Sequence, residues 1–419
     1  MGIGEGLLSP FRVLDLAEGG YSICGRILAD LGADVIRIEP PRGSPSRSTG
    51  PFYRDSFHPE KSLFWMAYNL NKRGITLNLS KPDGAELFRQ LVKKTDFLLE
   101  SFEPGYMECL GLGWSALSKL NPRLIVVSMT PYGQEGPKAH YKSSDIMAWA
   151  SSAVLYSTGD EDRPPLTIGY TLQATMQGGS EGAAAALIAH WYRQTSGKGQ
   201  HVDVSTQEAN IQLLQAFPEF WEFGKYDSKR LGPCYAAGTG LKRRVVYPCK
   251  DGYVAFQVIG GSAGPAESTR GMLKWMDEEG KAPEDFKKRD WVNEFDVSRL
   301  TQADIVHMEE PFARFLLTKT KKELWERSFR DRIILGPVNS IADLCEFEQL
   351  KQRDWWVKVG HPELGDELVY PGPFVKLSSS QIEYRRRAPT VGEHNETVYL
   401  DELGLSKKQL ELLVQANVV

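Results

Sequence analysis

Along the first third of the chain, apolar and polar positions repeat in one order: a short β-branched run, a turn, then apolar residues spaced three and four apart. Residues 12 to 39, RVLDLAEGGYSICGRILADLGADVIRIE, contain a full cycle of strand, glycine-bearing turn, helix and second strand, which is a βαβ unit. The cycle continues through GITLNL (74 to 79), a helix near 82 to 94, DFLLES (96 to 101), a short helix near 114 to 119 and LIVVSMT (124 to 130). Strands alternating with helices predict an α/β fold with a parallel, doubly wound sheet.

From 170 to 195 the chain turns glycine- and alanine-rich and then aromatic, which predicts a tightly packed helix ending before SGKGQ and a strand HVDVS. A helix over 205 to 223 is expected next, and GPCYAAGTGLKRR (232 to 244) reads as a basic boundary loop. YPCKDGYVAFQVI reads as a hairpin, and the charged, helical segment to about 335 as a small α+β domain. GPVNS, HPELG, YPGPF and APTVGEHN then punctuate a loop-rich return that closes with the helix SKKQLELLVQ. The expected division is a large domain over 1–225, a small domain over 235–335 and a return to the large domain over 336–419.

The formal net charge of -4 supplies no basic footprint for nucleic acid. With no run of about 18 apolar residues and no basic, apolar start in MGIGEGLLSP, no membrane partner is expected and the cytoplasm is the expected compartment. Cys24, Cys109, Cys234, Cys249 and Cys345 are scattered and never CxxC, so they read as reduced thiols, and the dispersed histidines lack metal-ligand spacing. No metal and no tightly bound cofactor are expected.

Local motifs carry little chemistry taken singly. Glu39 falls where a ribose-binding carboxylate would sit, but Gly19, Gly20 and Gly25 do not form GxGxxG. Gly260-Gly261-Ser262-Ala263-Gly264 matches GxSxG, with His307, His361 and His394 downstream, yet Pro265 suits a plain turn and helix start. Lys72, Arg73, Lys142 and the cluster Lys242, Arg243, Arg244 could hold phosphates or simply be solvated. Asp145 opens a predicted helix, and capping that helix is its simplest role.

Specificity comes from the ordered set RVLDL, LADLGADVIRIEPPRG, NLNKRGITLNL, ESFEPGYMECLGLGW, PYGQEGP, SGKGQHVDVS, GPV, HPELG and APTVGEHN. Over nearly the whole chain this set resembles the family III CoA-transferases, which include formyl-CoA and carnitine CoA-transferases and α-methylacyl-CoA racemase. The resemblance implies a large Rossmann-like domain and a smaller one, in a ring-like chain interlocked with its dimer partner. It implies a coenzyme A thioester as substrate, with Arg37, Leu70, Lys72, Arg73, Phe102 and Lys142 at the positions that match its binding.

In the transferases of this family an aspartate attacks the acyl-CoA thioester, giving an acyl-aspartyl anhydride and then an aspartyl-CoA thioester. Its position, counted from either flank, falls on Ala174 or Thr175, so this chain is expected to lack the nucleophile. Ser144 takes the place of the racemase histidine. GYSI (20 to 23), Cys109 and AAGTG (236 to 240) depart from the family pattern as well. The expectation is a subunit of a heteromeric transferase that moves CoA from an acyl-CoA donor such as succinyl-CoA to a carboxylic acid such as benzylsuccinate. Its expected partner is a homologous catalytic subunit carrying the aspartate. The alternatives are an active homodimer using another carboxylate, for which Glu181 is the nearest candidate, and a non-catalytic CoA-binding protein.

Overall fold

Six strands, β1 (Arg12–Leu16), β2 (Asp34–Glu39), β3 (Arg73–Thr76), β4 (Phe97–Glu100), β5 (Ile125–Thr130) and β6 (His201–Ser205), form a parallel sheet in the order β3-β2-β1-β4-β5-β6. The computed structural model describes residues 6–170, 172–236 and 240–419; residues 1–5, Thr171 and residues 237–239 of the AAGTG loop lie outside them. This order is the doubly wound one, reversing direction between β1 and β4.

The helices of this part are α1 (Ser22–Asp30), α2 (Leu63–Tyr68), α3 (Pro82–Val92), α4 (Tyr106–Cys109), α5 (Trp114–Leu120), α6 (Asp145–Ser151), α7 (Gln173–Ser196), α8 (Thr206–Ile211) and α9 (Phe217–Gly224). Alternate strand residues face opposite sides, so each face has its own core. Leu14, Ile36, Ile75, Leu98 and Val126 pack on α3 and α5, whereas Val13, Val35, Leu99, Val127 and Met129 pack on α1 and α7. Burial on both faces explains why the strands read as nearly continuous apolar runs. The helix expected over 205 to 223 is divided: α8 tightens into a 3₁₀ turn at Gln212–Leu214, and Pro218 sits in the first turn of a separate α9.

Contacts divide the chain into two units. One comprises Met1–Leu155, Thr167–Tyr226 and Lys351–Val419; the other comprises Tyr156–Leu166 and Asp227–Leu350. In the second, β7 (Cys234–Ala236) and β8 (Lys242–Arg244) pair as an antiparallel ribbon where a boundary loop was expected. β9 (Val246–Cys249), β10 (Gly252–Phe256) and β11 (Leu335–Pro337) form a three-stranded antiparallel sheet with β10 at its centre. It shares an aromatic core, including Tyr247, Phe256, Trp275 and Phe312, with α10 (Ala263–Glu278), α11 (Glu284–Lys288), α12 (Gln302–Leu316) and α13 (Lys321–Arg330). The short α14 (Ile341–Glu346) and α15 (Glu348–Gln352) follow. In the first unit, the hairpin of β12 (Trp356–His361) and β13 (Asp366–Pro371) leads to the closing α16 (Lys407–Gln415). Among the described residues no helix is long and apolar enough to cross a membrane.

Candidate active site

An open α/β sheet leaves a crevice outside the carboxyl ends of its strands at the point where the winding reverses, here β1 and β4. The turn after β1 is fitted against the start of α7. A Cβ on Gly20 would collide with the Thr175 hydroxyl and the Leu172 carbonyl, and one on Gly179 would lie 2.7 Å from Ile23. Gly178, Gly182, Ala186 and Ala189 recur three or four residues apart and are buried, so α7 lies flush on the sheet. Glycine and alanine are required because β5 stands directly beneath: a Cβ at Gly182 would come within 2.7 Å of the Met129 sulfur.

α7 begins under backbone strain, with Leu172 in the left-handed region at φ 58°. In its first turn Ala174 is fully buried, and the Thr175 hydroxyl donates to the Leu172 carbonyl at 2.9 Å. No acidic side chain stands at either position. A carboxylate nevertheless meets this helix end. Asp145 Oδ1 accepts from the amides of Ala174 (2.9 Å) and Thr175 (3.3 Å). The sequence suggested that Asp145 caps its own helix; instead Ser144 is the N-cap of α6, without a side-chain bond, and Asp145 caps α7. The reason is packing: Ala148, Trp149 and Val154 share a small core with Ala174, which holds α6 across the start of α7. Nearby, Tyr21 Oη lies 2.6 Å from Thr206 Oγ1. Burial, reinforced by Asp145 and opposed by Thr206, pushes the Tyr21 phenol up to about 12, so it stays protonated at neutral pH. Glu181 lies seven residues beyond Ala174, about 10 Å along the helix, and accepts from Gln177 Nε2 at 3.3 Å.

Of the residues matched to CoA binding, Arg37 and Lys72 come together, both fully buried around Asp15. Lys72 Nζ donates to Asp15 (2.8 Å), the Ser22 carbonyl (2.8 Å) and Asn69 (3.0 Å). Burial pulls its pKa down, with Asp15 opposing. Arg37 pairs with Glu18 and lies 3.6 Å from Asp15. Burial works against the Arg37 charge, but the carboxylates of Glu18, Asp15 and Glu39 outweigh it and hold the pKa above its usual value. Leu70 is buried against Met66, Val359 and Tyr370. Arg73 belongs to a separate network, 2.7 Å from Asp34 and paired with Glu402. Phe102 follows β4 and packs on the Tyr106 ring with centroids 4.7 Å apart. Lys142 is exposed in the loop before α6 and has no ion pair among the described residues. The three inner cations are thus each engaged by carboxylates of this chain, and Lys142 and Phe102 are the two with exposed surface.

Glu18 was not singled out from the sequence. Its carboxylate, directly after β1, accepts from Ser44 Oγ (2.6 Å) and Ser46 Oγ (2.7 Å) as well as from Arg37. The signal available was an acidic residue at the end of the first predicted strand. The GxSxG match takes the plainer form: Ser262 is the N-cap of α10, after β10 of the small antiparallel sheet, with no place on the main sheet. Among the described residues no group of three or more His, Cys, Asp or Glu is arranged to hold a metal.

The chain matches the model of CoA-transferase family III over residues 8–395. It is 32% identical over 413 residues to the succinyl-CoA:(R)-benzylsuccinate CoA-transferase subunit BbsE of Thauera aromatica, covering 98% of each chain. It is 31% identical over 430 residues to the formyl-CoA:oxalate CoA-transferase of Streptomyces coelicolor, covering 98% of this chain and 99% of that one. A crystal structure of a CAIB/BAIF family protein from Brucella suis superposes with a TM-score of 0.79 at 25% identity, covering 95% of this chain and 99% of that chain. The chain therefore belongs to the family III CoA-transferases, enzymes that move coenzyme A between acids.

Proposed function

We propose that this chain is the nucleophile-free subunit of a heteromeric family III CoA-transferase, paired with a homologous chain that carries the aspartate. The observation that supports this reading is the first turn of α7, which holds Ala174 and Thr175 and no acidic side chain, and whose amides are taken up by Asp145. Similarity to a protein named as a subunit of succinyl-CoA:(R)-benzylsuccinate CoA-transferase supports succinyl-CoA as donor and a substituted succinate such as benzylsuccinate as acceptor. In the assembly the partner's aspartate attacks the thioester carbonyl and expels CoA thiolate. The thiolate then attacks the resulting anhydride, releases the first acid and leaves an aspartyl-CoA thioester for the acceptor carboxylate.

Within this reading, Lys142 and Phe102 are the residues of this chain that contact CoA, through phosphate oxygens and the adenine ring respectively. Arg37, Lys72 and Arg73 act indirectly, as buried ion pairs that hold β1, β2 and β3 and the loops after them. Leu70 packs beneath that network. The interlocked arrangement of the family is the proposed mode of association. The deciding experiment is to purify the chain alone and together with an aspartate-bearing homologue and to assay CoA transfer from succinyl-CoA to benzylsuccinate. Activity is expected only in the mixture; transfer by the lone chain overturns the proposal.

Asp145 itself favours a second reading, in which it serves as the carboxylate nucleophile of an active homodimer. One oxygen is held by two amides and the other has no partner among the described residues. Incubating the lone chain with succinyl-CoA and hydroxylamine tests this directly. A hydroxamate at Asp145, abolished by Asp145→Asn, would establish it; unmodified Asp145 with a catalytically silent lone chain would remove it.

A further inference from the structure

The second unit contains an open cavity whose walls include Arg243, Gln257, Ile259, Ser262, Asn293 and Phe295. Three consecutive basic residues lead into it on β8, and they differ in what they touch. Lys242 pairs with Glu161. Arg244 lies over the Tyr247 ring at 5.6 Å, while its amide donates to Glu309 at 2.8 Å. Arg243 has no carboxylate within ion-pairing distance among the described residues. Its Nη2 donates to the Val258 carbonyl at 3.0 Å, and its guanidinium lies 5.5 Å from the ring centroids of both Tyr235 and Phe295.

That arrangement fixes the plane of the guanidinium while leaving most of its five donors without a partner among the described residues. A cation held by a carbonyl and two rings loses little further freedom when it takes up an anion, and its fork matches two carboxylate oxygens. Gln257, Ser262 and Asn293 supply neutral polar groups around it, and Ile259 and Phe295 supply apolar wall. The acid on the rim, Asp296, is already bound by Ser298 Oγ (2.6 Å), the Ser298 amide (3.0 Å) and Arg299 (3.1 Å). These bonds hold its carboxyl below the usual range and occupy its oxygens.

The geometry points to a binding site in this cavity for an organic carboxylate with an aromatic or otherwise apolar body, paired with Arg243. A single cation flanked by rings suits one carboxylate on a hydrophobic frame better than inorganic phosphate, which carries more charge and no apolar surface. The site is confined to the second unit and does not depend on which residue, in which chain, attacks the thioester.

The test is calorimetric titration of the full chain with phenylacetate, with its neutral isostere phenylacetamide and with inorganic phosphate. Phenylacetate is expected to bind saturably and more tightly than either of the other two. Arg243→Gln should weaken it by about tenfold or more, the loss expected when a charge-assisted pair is removed. Arg243 also bonds the Val258 carbonyl, so a second variant, Gln257→Glu, is included; it leaves that bond in place and sets a competing carboxylate inside the cavity. It should weaken phenylacetate to the same degree while circular dichroism reports an unchanged fold. Absence of saturable phenylacetate binding overturns the inference, as does binding indifferent to Gln257→Glu or phosphate binding more tightly than phenylacetate.

Discussion

Asp145 reaches across 29 residues of sequence to cap α7, and this contact has a thermodynamic consequence separate from any chemistry. The first amides of a helix have no intrahelical acceptor, and a carboxylate there satisfies them and complements the positive end of the dipole. Asp145→Ala should lower the stability of the chain by about 1 kcal/mol, read as a shift of the urea midpoint at constant slope. Asp145→Asn keeps an acceptor oxygen and should cost less. An Ala variant as stable as the parent would show that the cap contributes nothing. A second residue governs pH dependence. Burial raises the Glu100 carboxyl from its ordinary value to about 7, with Glu108 and Asp203 adding to the shift and Ser128 opposing it. Ser128 Oγ also lies 2.8 Å from His201 Nε2, and burial lowers the His201 pKa. A protonated Glu100 can therefore donate to Ser128, which donates onward to the neutral imidazole. Between about pH 4.5 and 7 the folded chain holds the Glu100 proton that the unfolded chain has released, so this residue's contribution to stability falls as pH rises through that window. At 1.4 kcal/mol per unit the fall amounts to about 3 kcal/mol at most. Glu100→Gln should remove it, so the stability difference between variant and parent must grow from pH 5 to pH 8; a constant difference refutes the assignment.

The element on which the site depends is α7, and its inner face explains what was and was not legible in the sequence. The run GGSEGAAAALIA predicted close packing, because only glycine and alanine let a helix approach a sheet to backbone contact, and its sheet-facing positions, Gly178, Gly179, Gly182, Ala183, Ala186 and Ala189, are buried. The parallel strands β1 to β5 were legible because nearly every residue in them is buried, on both faces of the sheet. Boundaries were less so. The division of the helix after β6 depended on Pro218, and the β7–β8 ribbon contains the charged LKRR, whose strand character comes from pairing rather than composition. At the candidate site the sequence shows only that Ala174 and Thr175 are not acidic, whereas the arrival of Asp145 at their amides, and the burial of Arg37 and Lys72 around Asp15, are tertiary events with no local trace. The packing of α7 makes its own prediction. Gly182→Val places two methyl groups where the Met129 sulfur already stands 2.7 Å from a Cβ, so the chain should lose about 1 to 3 kcal/mol through overpacking. A denaturation midpoint unchanged from the parent would mean that α7 is free to move off the sheet.

At the scale of the whole molecule, the outer surface of the same helix needs a cover. A helix that is apolar all round belongs in an interior, and α7 carries Ile188, Trp191 and Tyr192 on the side away from the sheet, exposed by 70%, 77% and 57%. α9 is aromatic along its length yet has no buried residue at all, with Phe220, Trp221 and Phe223 open to solvent. Exposed apolar side chains grouped on helices in this way mark a contact with another chain, and a homologous subunit is the partner that the proposed function requires. Trp191 is the natural anchor, since large aromatic side chains dominate the energetics of such interfaces. Because it is exposed in the isolated chain, Trp191→Glu should change the stability of that chain by no more than about 0.5 kcal/mol. In mixtures with the aspartate-bearing homologue the same substitution should weaken association by about a hundredfold, measured by light scattering after size-exclusion chromatography across a concentration series. Transfer activity should fall in parallel and recover at high partner concentration, since the substitution touches assembly and leaves the first turn of α7 intact. If Trp191→Glu assembles and turns over like the parent, the aromatic face serves another purpose, and the heteromeric reading loses its structural support.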